Sequence, residues 1–80
     1  MARGRGERVP DEDILAVFTA INAPVVSTNE VSDAIDLGRR ATLKRLNALA
    51  DEGRIKRKKI DERRTIWWDP EVLAERYSRS

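Results

Sequence analysis

Apolar residues fall at helical spacing early in this chain: Ile14, Leu15, Val17, Phe18 and Ile21. That period predicts an amphipathic helix starting at Pro10 and stopped by Asn22-Ala23-Pro24. Asp11, Glu12 and Asp13 suit its start, where carboxylates meet free amides and the positive end of the helix dipole. Val25-Val26 is too short for more than an edge strand. Ser27-Thr28-Asn29-Glu30 has the spacing of a capping box. It opens a short second helix whose apolar stripe is Val31, Ala34 and Ile35. Asp36-Leu37-Gly38 reads as a tight link, with Gly38 free to take positive φ. A third helix runs from Arg39 to about Glu52 and turns Leu43, Leu46, Leu49 and Ala50 inward. Gly53 is placed to be its left-handed C-terminal cap.

The period changes after Gly53. Residues 54–60 and 65–68 are rich in β-branched or aromatic side chains and flank the polar Asp61-Glu62-Arg63-Arg64, which reads as a β-hairpin. Trp67 and Trp68 alternate across such a strand, so one caps the core and the other points away. Alternation alone leaves open which is buried. Asp69-Pro70-Glu71 restarts a helix that runs to Tyr77. Its stripe of Val72, Leu73 and Tyr77 either packs back on the first helix or pairs with a twofold mate. The expected organisation is a flexible basic arm over 1–9, one domain over 10–77 and a frayed tail over 78–80. The expected fold class is α+β, mostly α. It has a three-helix core, a two-stranded hairpin with a possible short third strand, and a C-terminal helix.

Composition narrows the chemistry. Eighty residues make one domain, and 40% apolar content supports a thin core. The sequence has no cysteine and no histidine. Disulfides and thiolate metal sites are therefore excluded, and acid–base work at neutral pH lacks its usual side chain. The expectation is no enzyme, no cofactor and no metal. No apolar run approaches a membrane span, so a cytoplasmic, nucleoid-associated location is expected.

Charge carries the strongest signal. The net charge is only +2, but the charges are segregated. Arg39 to Arg64 holds eleven Arg and Lys against four acids, while Glu7 to Asp36 holds seven acids against one base. Polarised basic charge on a small domain points to a polyanion, with nucleic acid the commonest. The capped second helix, tight turn and basic third helix form a helix-turn-helix, whose projecting helix has the width to enter a major groove.

Residues Ser27-x-x-Glu30-Val31-x-x-Ala34-Ile35-x-Leu37, then Thr42-x-x-x-Leu46-x-x-Leu49-x-x-x-Gly53-x-Ile55 and the hairpin to Trp67-Trp68 carry a resemblance. This stretch resembles a winged helix-turn-helix domain of prokaryotic transcription regulators, similar to the MarR- and ArsR-like groups. The resemblance implies sequence-specific binding of double-stranded DNA. The third helix would be the recognition helix, meeting DNA through Arg39, Arg40, Ala41, Lys44 and Arg45. The hairpin would be the wing, reaching the backbone or a minor groove through Arg57, Lys58, Lys59, Arg63 and Arg64. Arg3 and Arg5 of the arm are further candidates. Thr42 departs from the family, which usually has an apolar residue there, so the rotation of the third helix is open by one position. Two other readings stand beside this one. One is a protein–protein module on the same fold. The other is a single-strand or RNA binder using an exposed Trp. A homodimer through the C-terminal helix or through an exposed Trp67 or Trp68 is also expected, because one such module buries little surface on DNA.

Overall fold

The computed structural model describes residues 9–21 and 23–77. Arg3, Arg5 and the tail 78–80 lie outside the described residues. The elements follow the order α1 (Asp11–Ala20), β1 (Val26–Ser27), α2 (Thr28–Ile35), α3 (Arg39–Asp51), β2 (Lys56–Lys59), β3 (Thr65–Trp68) and α4 (Pro70–Tyr77). The class is α+β and mostly helical, as the sequence pattern predicts.

Each helix end has a local cause. Pro10 is the N-cap of α1 and supplies no side-chain bond, so Asp11, Glu12 and Asp13 are left to offset the first-turn amides. The capping box on α2 is complete: the Glu30 amide donates to Ser27 Oγ at 3.1 Å, and the Ser27 amide donates to Glu30 Oε1 at 2.8 Å. The link to α3 differs from expectation. Asp36, not Gly38, takes the left-handed conformation, at φ 57°, while Gly38 is the N-cap of α3 at φ −58°. Asp tolerates that region better than most residues, and the turn has to be made where α2 ends. At the far end of α3, Gly53 sits at φ 82°. Its amide donates to the Ala50 carbonyl and the Arg54 amide to the Leu49 carbonyl, both at 3.0 Å, which is a Schellman closure.

The sheet is antiparallel, in the order β1-β3-β2. Val26 and Ser27 therefore form the short third strand. Val26 faces Trp67 across one ladder, and Arg57 faces Trp67 across the other. The core gathers Ile14 and Phe18 of α1, Val31 of α2, Leu46 and Leu49 of α3, Ile55, Val26 and Trp67. Trp67 has no exposed surface, and its indole Nε1 donates to the buried Thr28 Oγ1 at 2.9 Å. Trp68 is half-buried. The question left open by alternation is thus answered in favour of Trp67.

Thr42 is fully buried, and its hydroxyl donates to the Leu37 carbonyl at 3.3 Å. It heads a buried line continued by Leu46 and Leu49. Asp69 accepts from the Glu71 amide at 2.9 Å and starts α4. The Arg76 guanidinium donates to the Ile21 carbonyl at 2.9 Å and to the Thr19 carbonyl, tying α4 to the end of α1.

Candidate nucleic-acid interface

Thr42, Leu46 and Leu49 fix how α3 is rotated. Residues three or four apart share a helix face. With those three turned inward, Arg40, Lys44, Asn47 and Asp51 form the outward line. Arg40 and Lys44 are exposed and make no ion pair or side-chain hydrogen bond among the described residues. Ala41 is exposed beside them, as is Ala48 two turns further on.

Arg45 is placed differently from Arg40 and Lys44. Its side chain lies on the flank of the buried line rather than on the outward face. The guanidinium donates to the Val9 carbonyl at 2.7 Å and to Asp11 Oδ1 at 2.8 Å. It fastens α3 to the start of α1, and that pairing removes it from the outward set.

Arg39 also has internal partners. Its Nε donates to Asn29 Oδ1 at 3.0 Å, and its Nη2 to the Arg63 carbonyl at 3.4 Å. It connects α2, the start of α3 and the hairpin tip. Arg57 makes a second connection further along: its Nη1 donates to Asp51 Oδ1 at 3.4 Å and to the Asn47 carbonyl at 3.5 Å. These two struts lay the hairpin alongside α3. The hairpin face that carries Arg57 is thereby set beside the outward line of α3.

Pairing register sorts the hairpin lysines. Lys59 pairs with Thr65 and Lys58 with Ile66, so they point to opposite faces of the sheet. Lys59 shares its face with Arg57, the face that meets α3, while Lys58 shares its face with Lys56. All four residues of β2 are exposed. At the tip, Asp61 Oδ1 accepts the amides of Arg63 at 2.8 Å and Arg64 at 2.9 Å, and Oδ2 accepts from Arg64 Nε at 3.1 Å. The Arg63 amide is the main cause of a pKa held below the ordinary 3.8; desolvation opposes it, and the bonds and charge of Arg64 add to the lowering. Arg64 is thus paired with Asp61, while the Arg63 side chain has no partner among the described residues. A cleft of about 250 Å³ opens between the tip and the start of α2, lined by Asn29, Arg39, Ile60, Arg63 and Arg64 among others. Its arginines and amide side chain suit a phosphate oxygen.

Asn47 and Asp61 are the residues that reading the charge pattern alone misses. Asn47 follows Lys44 by three positions, so helical spacing could have found it. An Asn on a groove-facing surface can pair with adenine N6 and N7. Asp61 reads in the sequence as a turn acid, and only its backbone partners reveal that it shapes the tip.

No protein-family model and no curated protein matches this chain. Among solved structures, the chain is similar to ZitR of Lactococcus lactis, a zinc-responsive MarR family member. The superposition has a TM-score of 0.57 and 19% identity, and covers 82% of this chain and 50% of that one. The fold is a winged helix. The chain spans about half the length of that neighbour. In winged-helix terms α2 and α3 are the helix-turn-helix pair, β2 and β3 the wing, and β1 the short strand that completes the sheet.

Proposed function

We propose that this chain binds double-stranded DNA with sequence preference and acts as a transcriptional regulator. The observation that carries the reading is the shared side of α3 and the wing. Arg40 and Lys44 stand outward on α3, Lys59 stands on the adjoining wing face, and Arg39 and Arg57 hold the two elements together. Arg40, Lys44 and Asn47 would meet base edges in the major groove, with Ala41 and Ala48 leaving room for close approach. Lys58, Lys59 and Arg63 would take backbone phosphates. Arg39, Arg57 and Arg64 serve this reading mainly by setting the wing. Residues 10–77 would be the binding unit, with Arg3 and Arg5 of the arm adding contacts to the backbone. Exposed Tyr77 on α4 supports a twofold dimer on a palindromic site. The protein would act in the cytoplasm, by occupancy and without catalysis.

The zinc response named for ZitR does not fit these residues. This chain has no Cys or His, and no three carboxylates come together among the described residues. Enclosed Trp67 does not support the single-strand reading, which is left with half-buried Trp68. The same fact removes Trp67 as a dimer contact. The protein–protein reading is separated from the main one by a salt titration on random duplex. Neutralising about six phosphates gives a log–log slope of about −5. A flat response, or no binding at low salt, would favour the interaction module. Selection of duplexes from a random pool then tests sequence preference, and a palindrome among them tests the dimer.

A further inference from the structure

A groove of about 450 Å³ lies between α1 and α2, away from the proposed DNA-binding elements: Ala16, Ala20 and Ile21 line one side and Ala34 and Ile35 the other, with Asp13 at the margin. None of its lining residues belongs to α3 or the wing. The two helices that wall it carry five carboxylates and no lysine or arginine. Asp11 is paired with Arg45, and Glu30 is held in the capping box. Glu12, Asp13 and Asp33 are exposed and make no ion pair among the described residues. Arg45 and Arg76 bring positive charge to α1 and its ends through their bonds. The result is an apolar trough between acidic helices.

That charge selects the occupant. A second copy docking by the same face would bring acidic helices together, and like charges across an interface are costly. Nucleic acid and anionic lipid are repelled for the same reason. We propose that this groove docks a basic amphipathic helix from a partner protein. Apolar residues at i, i+4 and i+7 would lie over the alanines, and flanking Lys or Arg would meet Asp13 and Asp33. The arrangement is helix-in-groove recognition with the sign of the rim setting specificity. A regulator built this way holds DNA with one surface and a protein with another.

The test uses the full chain, isotope-labelled, with two helical probe peptides that share leucine positions. One carries lysine on its flanks and the other glutamate. The lysine peptide is expected to bind and to shift the amide signals of Ala16, Ala20, Ala34 and Ile35, while the glutamate peptide does not. Ala34→Lys, at an exposed position, is expected to weaken the lysine peptide about tenfold or more. Asp13→Lys should do the same, and serves if the first variant melts early. Duplex affinity measured on the same samples should stay unchanged in both variants, so failure of the DNA reading and failure of this one are told apart. Equal binding of the two peptides would overturn the proposal. So would shifts confined to other surfaces, or a dimer in the parent chain that Ala34→Lys converts to monomer.

Discussion

Two polar side chains, Thr28 and Thr42, are buried among the described residues, and each is satisfied. Thr28 has the more demanding task, since its hydroxyl is the hydrogen-bond partner of the enclosed Trp67 indole. Thr28→Val keeps the shape and orphans that N–H. It is expected to destabilise the fold by about 1–3 kcal/mol in denaturant melts, and Trp67→Phe in the same background should cost less than it does alone. Asp61 works at the surface. Its folded pKa is depressed, so its contribution to the wing turn is present above about pH 4 and fades as pH falls through the lowered value. Amide signals of Arg63 and Arg64 should therefore move together on acidification, and Asp61→Asn should remove that titration. Neither role was legible beforehand. The capping box shows in four consecutive residues, but the Thr28–Trp67 bond spans two distant segments. Thr42 looked like a departure from pattern. It became intelligible once Leu37 was seen to supply an acceptor at the start of the turn.

At the scale of elements, the helix ends were the most readable feature, because each depends on neighbours in sequence. Gly53 was expected in a left-handed cap and adopts one. Beyond its chain neighbours no atom stands within 4 Å of where its Cβ would be, so the positive φ sets the penalty of adding that Cβ. Gly53→Val is expected to cost about 1–3 kcal/mol in thermal melts, and an unchanged midpoint would dismiss the cap. The turn before α3 was less readable, since Asp36 and Gly38 both tolerate unusual backbone and only the length of α2 decides between them. Helix rotation was partly readable: Leu46 and Leu49 set the inner face, while the inward turn of Arg45 depended on Asp11 far upstream. In the proposed division of labour, α3 reads sequence and the wing grips. Arg40→Ala should then flatten sequence preference in a binding assay. Lys59→Ala should weaken all duplexes about equally and lessen the salt slope by about one unit. If both leave low-salt affinity untouched, this face is the wrong one.

For the whole molecule, segregated charge was plain in the sequence and is kept apart by the fold, with acids concentrated on α1 and α2 and bases on α3 and the wing. Whether the molecule pairs with itself was not legible, because α4 both ties back through Arg76 and leaves Tyr77 56% exposed. If α4 is the dimer contact, Tyr77→Asp should turn a dimer into a monomer in sedimentation and weaken palindromic sites far more than half-sites. The strand order has a consequence in time. β3 is the middle strand, yet it is made after both of its neighbours. A chain emerging from the ribosome can wind its helices early, but β1 and β2 have nothing to join until Trp67 arrives. Until then the basic helix hangs on an unclosed scaffold, so the surface where α3 meets the wing is assembled only once β3 has paired.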